Sequence, residues 1–191
     1  MNEGRAAWRQ LWRNRPAVVG AGLVLAFAVC ALAGPLFAPH DPLTGDLSQR
    51  LRPPVWKGGA WAHPLGCDHQ GRDVLSRLLV GARISMLIGV AVVVASAALG
   101  TLLGLLAGYY GGRLDRLISW AVDTLLAFPY LVFAIGLMAV LGAGLVNIIV
   151  TLTVKSWVPF CRVVRGDTLV VRTREHVEAA RTVGAGDGYI L

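Results

Sequence analysis

Charged residues are scarce in this sequence, and cysteines are few and far apart. Only 15% of the 191 residues are charged, whereas 55% are hydrophobic. With a mean hydropathy of +0.62, the chain has too little polar surface to cover a water-soluble globule. Cys30, Cys67 and Cys161 are widely separated, so neither a disulfide framework nor a paired-cysteine metal site is expected. The lipid bilayer must therefore be part of the environment of this protein.

Basic residues are not clustered, and phosphate-binding loops are missing. The net charge of +7 comes from residues scattered between apolar runs, which argues against nucleic-acid binding. The GAGD sequence at 184–187 lacks the Lys and Ser/Thr of a phosphate loop. It also lies outside every apolar run, unlike the catalytic aspartate of an intramembrane protease. We therefore expect no ATP hydrolysis by this chain and no cofactor.

Apolar runs are the strongest positive signal. A hydrocarbon core of about 30 Å requires about 20 residues of helix. Runs of that length cover 17–37, 84–110, 117–141 and 144–164. The predicted fold class is an all-α, multi-pass transmembrane helical bundle. Arginines before the first run and Ala31-Leu32-Ala33 near its end also resemble a secretory signal peptide, but the run is longer than a usual signal core.

The distribution of Lys and Arg predicts the orientation. These residues are more frequent on the side of the N-terminus than in the segment 38–83. The chain is therefore predicted to have a cytoplasmic tail at 1–16 and an extracytoplasmic segment at 38–83. Within that segment, Asp73–Arg83 has the pattern of a short amphipathic helix that leads into the second span. The region 84–191 would then hold the remaining spans and a cytoplasmic segment at 165–191.

Small residues recur every fourth position along the second span. Ser96, Gly100, Gly104 and Gly108 would form a flat stripe that lets a neighbouring helix approach closely. Such a stripe is explained equally by a tight helix contact that has no role in transport.

Polar and helix-breaking residues mark the third and fourth spans. Pro129 is expected to kink the third span, and Asp123 would then line a moving path or remain near the cytoplasmic end, hydrated or paired with Arg116. Lys155 falls near the middle of the fourth run, where a charge must face protein or water. The sequence leaves open whether Lys155 contacts substrate or pairs structurally.

The segment after the fourth span contains a short, well-delimited helix. We expect it to run from Arg174 to Val183, with Thr173 as the N-cap and Gly184 as the residue that follows the C-cap. It is either a docking helix for another protein or an ordinary surface helix. The candidate docking residues are Glu175, Glu178, Ala179, Ala180, Arg181 and Gly184.

Three potential metal ligands lie close together in the segment 38–83. His63, Cys67 and His69 have the right atoms for a transition metal, but their spacing matches no closed site. The sequence therefore predicts a loop and no metal site.

Several motifs together resemble one family. Glu178-Ala179-Ala180 followed by Gly184 is similar to the EAA motif of permease subunits in bacterial ABC importers. The stretch HPLGCDHQGRDVLSRLLVGAR at 63–83 resembles the segment before the second span in C-type permeases for dipeptides, oligopeptides and nickel. YYGGRLDRLI, DTLLAFPYLVFAI and VRGDTLVVR continue the likeness over most of the chain. Cys67 departs from the usual Thr of the family.

The resemblance implies an importer-type permease fold and a set of partners. The EAA helix would insert into a cleft of the ATPase, and the partners would be a homologous permease, two cytoplasmic ATPases and an extracytoplasmic binding protein. The family has six spans, so we expect this sequence, with four, to be a fragment or a truncated reading frame. Alternatives are a small channel or secondary transporter, or an assembly-only fragment.

Overall fold

The computed structural model describes residues 14–190, and within that range all regular structure is helical. Most of the predicted tail 1–16, including Arg5, Arg9 and Arg13, lies outside the described residues. The α-helices are α1 Arg15–Phe37, α2 Val74–Tyr110, α3 Gly112–Ala127, α4 Tyr130–Leu141, α5 Leu145–Val171, α6 Glu175–Thr182 and α7 Asp187–Ile190. Two short 3₁₀ helices, Leu47–Gln49 and Val55–Lys57, lie between α1 and α2.

The predicted all-α, multi-pass membrane fold class is confirmed. α1, α2 and α5 are each long and apolar enough to cross a membrane, and α3 with α4 supplies a fourth crossing if this bent pair is counted as one span. The chain divides into two compact units, Met1–Leu87 and Ile88–Leu191, with the boundary inside the sequence of α2.

In the first unit, α1 begins at a cap and packs through one glycine. The Asn14 side chain accepts a hydrogen bond from the Ala17 N–H at 3.4 Å, which satisfies a free donor of the first turn. Gly34 lies directly against α2, since a Cβ at this position would come within 2.9 Å of the Leu79 carbonyl oxygen. The connection from α1 to α2 is closed by backbone pairing between Cys67 and Asp73.

α2 is longer than the sequence predicts. The structure joins the expected amphipathic helix at Asp73–Arg83 and the expected span at 84–110 into one helix of 37 residues, Val74–Tyr110. No proline separates the two patterns, so the backbone hydrogen bonds continue through both. A helix of this length is about 55 Å long, which exceeds a hydrocarbon core of about 30 Å.

The third predicted span is interrupted more strongly than a kink. α3 and α4 meet at an angle of 97° around Phe128 and Pro129. Phe128 has an extended backbone, φ −85° and ψ 134°, as a residue before proline prefers. α5 also continues to Val171, beyond the predicted end at 164. The second unit is built around a buried cluster of side chains from the three helices α2, α3 and α5: Ala107, Ile118, Val122, Trp157, Val158 and Cys161.

Candidate functional site

The glycine stripe of α2 lies against α5 with almost no space between the backbones. A Cβ added at Gly100 would come within 2.5 Å of the Trp157 carbonyl oxygen, and one at Gly104 within 2.7 Å of the Cys161 carbonyl oxygen. At Gly108 it would meet the Thr168 Cβ at 2.7 Å. Ordinary contacts between non-bonded atoms are about 3.5–4.0 Å. The stripe therefore forms a close helix contact that larger residues could not make.

Ser96 continues the stripe on the same side of α2. It is fully buried, and its hydroxyl has no hydrogen-bond partner among the described residues. A small residue is therefore required there for packing, while the hydroxyl makes no visible contribution to it.

An ion pair joins the start of α3 to the second half of α5. The Arg165 guanidinium donates to both carboxylate oxygens of Asp115, at 2.5 and 2.8 Å. Such a bidentate geometry is the strongest arrangement available to an Arg–carboxylate pair. Ser119 adds a weak hydrogen bond to the same carboxylate at 3.4 Å. This pair fixes the beginning of the broken span to α5.

The end of α2 is capped by an arginine that comes just before α6. Arg172 donates from one terminal nitrogen to the carbonyl oxygens of Gly108 and Tyr109, at 3.0 and 3.2 Å. A cation at a helix C-terminus satisfies free carbonyls and interacts favourably with the helix dipole. Arg172 thereby holds the start of the α6 region against the end of α2.

α6 itself is delimited differently at its two ends. Its N-cap is Arg174, and the Thr173 hydroxyl donates backwards to the Val170 carbonyl at 2.9 Å, so the prediction of Thr173 as the N-cap is wrong. The C-terminus is a Schellman motif. The Gly184 N–H donates to the Arg181 carbonyl and the Ala185 N–H to the Ala180 carbonyl, at 2.9 and 3.0 Å. Gly184 has φ +89°, a left-handed conformation that favours glycine.

One side of α6 is attached to the rest of the second unit. Val177 is buried, and the Arg181 guanidinium lies 5.3 Å from the centre of the Tyr109 ring. The Tyr109 hydroxyl donates to an Asp187 carboxylate oxygen at 2.5 Å, which ties α7 to the same point. These contacts fix the orientation of α6 on the end of α2.

The other sides of α6 are open. Glu175, Glu178 and Ala179 are exposed, and Ala180 is half-buried. An open groove of about 720 Å³ runs along the small-residue side; its lining residues are His176, Ala179, Ala180, Val183, Gly184, Ala185, Gly186 and Tyr189. Small side chains and a glycine turn thus leave room for another protein to approach the helix backbone.

Lys155 meets the break between α3 and α4. Its ammonium group donates to the carbonyl oxygen of Phe128 and lies 5.7 Å from the centre of the Tyr130 ring. Because α3 ends at this carbonyl, Lys155 caps a helix C-terminus. The charge near the middle of the fourth apolar run is therefore paired with backbone at the bend.

α5 also caps the far end of α4. The Asn147 amide donates to the carbonyls of Leu141 and Gly142, at 2.7 and 3.2 Å. Asn147 and Lys155 together therefore hold both ends of the second half of the broken span. Asp123, in contrast, is exposed and makes no ion pair with Arg116 in the described part of the chain.

Sequence reasoning missed the residues that make these joints. No individual role was assigned from the sequence to Asp115, Arg165 and Arg172, which were only parts of motifs or charges counted for orientation. Asn147 was not singled out. The available signal was that opposite charges lie at the same ends of neighbouring apolar runs. Their pairing depends on how α3 and α5 pack, which no local pattern predicts.

Comparison with known proteins agrees with this architecture. Residues 100–191 match the family model of the binding-protein-dependent transport system inner membrane component, and residues 3–54 match that of the N-terminal TM domain of oligopeptide transport permease C. The chain thus belongs to the family of inner membrane components of binding-protein-dependent transport systems. Within that class, it belongs to the C-type permeases of the peptide importer family.

Three curated relatives illustrate the likeness. The chain is 40% identical over 98% of its length to a glutathione transport system permease protein of Pectobacterium atrosepticum, covering 62% of that protein. It is 39% identical to a dipeptide transport system permease protein of Bacillus subtilis, over 94% of this chain and 54% of the relative. It is also 40% identical to a di/tripeptide transport system permease protein of Pseudomonas aeruginosa, over 94% of this chain and 59% of the relative. The chain therefore spans between about half and two thirds of the length of these relatives.

Proposed function

We propose that this chain is the membrane-spanning permease subunit of an ATP-binding-cassette importer for peptides. It would act in the inner membrane with a homologous permease, two cytoplasmic ATPases and an extracytoplasmic binding protein. The relatives described as dipeptide, di/tripeptide and glutathione permeases support a small-peptide substrate. A nickel-type substrate is the alternative within the family predicted from the sequence. Because the ATPases would supply the energy, the chain itself would not hydrolyse ATP.

The observation that carries the proposal is the construction of α6. The helix is fixed on one side through Val177 and Tyr109, while its small-residue side and its acidic first turn remain open. In this proposal Glu175, Glu178, Ala179, Ala180, Arg181 and Gly184 form the coupling surface for the ATPase. Closure of the ATPases would move α6, and rigid-body motion of the attached spans would alternate access to a central cavity.

The residues of the spans would have supporting roles. The stripe from Ser96 to Gly108 would provide helix packing, and Lys155 would stabilise the bend at Pro129 without contacting substrate. Asp123, which is exposed and unpaired with Arg116, is the better candidate for the transport pathway.

The test is ATP-dependent uptake of a labelled dipeptide by proteoliposomes that contain the complete complex. Replacing Ala180 with Trp fills the groove, and replacing Gly184 with Val strains a backbone with φ +89°. Both variants should insert and assemble in the membrane but lose uptake. Thr182→Trp is the matched control, because Thr182 is exposed on α6 and does not line the groove. Normal uptake by the Ala180→Trp complex would contradict the coupling role.

The orientation has its own test. The proposal puts α6 on the cytoplasmic side, together with the N-terminus. A single cysteine introduced at Thr182, in a variant without the three native cysteines, should react with a membrane-impermeant maleimide only after the cells are opened. Labelling of intact spheroplasts at this position would reverse the orientation.

A further inference from the structure

His40, His63 and Asp73 converge in the first unit, although they come from separate parts of the segment 38–83. His40 follows α1, His63 lies in the turn after the second 3₁₀ helix, and Asp73 directly precedes α2. One ligand atom from each side chain lies within 4.8 Å of the others. We propose that these three side chains form a binding site for a divalent transition-metal ion of the zinc class.

The distances between the ligand atoms are close to the spacing that metal ligands require. Ligand atoms about 2.0–2.1 Å from a tetrahedral zinc ion lie about 3.4 Å from one another. Around Asp73, the His63 Nδ1 is 3.0 Å from one carboxylate oxygen and the His40 Nδ1 is 4.0 Å from the other. These two values lie on either side of the required spacing, and all three ligand atoms lie within 4.8 Å of one another, so side-chain rotations that shift a ligand atom by up to about 1.4 Å admit the ion.

The donor types select the metal. Two imidazole nitrogens and one carboxylate oxygen suit zinc, nickel or copper, whereas magnesium and calcium prefer oxygen ligands throughout. Three protein ligands also leave a fourth position for water or another group. The site opens into a cavity of about 290 Å³ that Asp41, Thr44, Asp46 and Gln49 also line, which gives an ion a polar, acidic approach from solvent.

The carboxylate is already oriented by its neighbours. Asp73 is buried, and one of its oxygens accepts hydrogen bonds from the Ser76 N–H at 2.8 Å and from the Ser76 hydroxyl at 2.7 Å. Ser76 Oγ also accepts a hydrogen bond from the backbone N–H of His40 at 3.1 Å, so the same residue helps to position the backbone of a second ligand. Metal ligands are generally supported by such outer hydrogen bonds.

The simpler role of Asp73 is that of a helix cap, and the two roles are compatible. The cap contacts with Ser76 involve one carboxylate oxygen, and the other oxygen lies 3.0 Å from the His63 Nδ1, so this second oxygen is the one positioned beside a second ligand. The contact between the His63 Nδ1 and an Asp73 carboxylate oxygen requires the tautomer that carries the proton on Nδ1, because an ionised carboxylate only accepts. An ion bound at His63 Nδ1 would displace that proton.

The potential metal ligands identified from the sequence are mostly different residues. Of His63, Cys67 and His69, only His63 belongs to this group in the described structure. Cys67 is buried, and His69 is exposed. His40 lies near the beginning of the segment 38–83, and the folded connection from α1 to α2 brings its ring to a stacked position 4.5 Å from the His63 ring.

The experiment uses the detergent-purified chain without a histidine tag, stripped with chelator and then titrated with Zn²⁺ or Co²⁺. One ion per chain should bind, and Co²⁺ should give the intense visible bands of a low-coordinate site with nitrogen ligands. His40→Phe keeps a stacked ring but removes a ligand, and should weaken binding at least 10-fold. Ser76→Ala should weaken it about 10–100-fold through loss of the supporting hydrogen bonds.

His69→Ala is the matched control, since it removes an exposed histidine from the same segment and should leave affinity unchanged. Binding that is unaffected by His40→Phe, or that is lost in His69→Ala, would overturn the proposal. So would the absence of visible Co²⁺ bands in the unaltered chain, a result that requires no variant to fold. The outcome is independent of the transport assay, because it is measured without ATPase or peptide.

Discussion

The contact between α2 and α5 can be tested by adding one methyl group. In Gly100→Ala, the new Cβ would lie 2.5 Å from the Trp157 carbonyl oxygen and 2.6 Å from the Phe160 Cβ. Normal contact requires about 3.5–4.0 Å, so the two backbones must separate by about 1 Å. Extra atoms in a packed interior typically cost about 1–3 kcal/mol.

Gly89→Ala is the matched control in the same helix. A Cβ at Gly89 has no neighbouring atom within 4 Å, so this variant gains only the helix propensity of alanine. Because both variants gain that propensity, their difference isolates the cost of crowding. For a chain of this size, about 1–3 kcal/mol corresponds to a difference of about 2–12 °C in unfolding temperature.

The assay is thermal unfolding of the purified protein in detergent, at one scan rate, followed by tryptophan fluorescence. Gly100→Ala should unfold at a lower temperature than Gly89→Ala, and Gly104→Ala should follow Gly100→Ala. Equal unfolding temperatures for the Gly100 and Gly89 variants would refute the close approach of α2 and α5.

Three further predictions concern charges. Lys155→Met should leave the Phe128 carbonyl without its donor and cost about 1–3 kcal/mol, measured by the same unfolding assay, whereas stability equal to wild type would exclude the capping role. Asp115→Asn should cost about 1.5–3 kcal/mol, and a double-mutant cycle with Arg165→Gln should show coupling; additive effects would contradict the ion pair. Desolvation would raise the pKa of Asp68, but hydrogen bonds and the charge of Arg72 outweigh it and lower the pKa. The contribution of Asp68 to stability should therefore be complete above its ordinary pKa of 3.8 and should fall as the pH drops toward the folded pKa. Asp68→Asn should flatten this dependence of stability on acid pH, and an unchanged stability profile would reject the prediction.

Local patterns predicted the helices well but predicted their joints poorly. Apolar runs located the membrane helices, and Gly184 was correctly expected to follow the C-cap of α6, because these features depend on composition and on the conformational freedom of one residue. The break at Pro129 was underestimated as a kink. A proline predicts a lost hydrogen bond, but it does not predict an angle of 97° or the hydrogen bonds that Lys155 and Asn147 of another helix make to the two ends of α4.

Among the candidate sites, too, features of a single helix were predictable from the sequence and contacts between elements were not. The stripe of α2 was visible in the sequence because its period of four residues is a property of one helix. The Asp115–Arg165 pair and the His40, His63 and Asp73 group were not, because each joins residues from different elements. Sequence distance carries no information about such convergence unless the packing of the elements is already known.

Pro159 lies inside the continuous helix α5, and the glycine contact extends to both sides of it. Proline has no N–H, so the carbonyl of Lys155, four residues earlier, loses its helical hydrogen-bond partner. The segment before Pro159 carries Asn147 and Lys155 and holds α4; the segment after it carries Arg165 and leads to α6. Movement of α6 would bend α5 at Pro159 and leave α4 behind if that point were unsupported. Gly100 packs on Trp157 and Phe160, on both sides of the proline, and thereby opposes such a bend. The physical requirement for glycine at this position is therefore close support of the weakest point in α5.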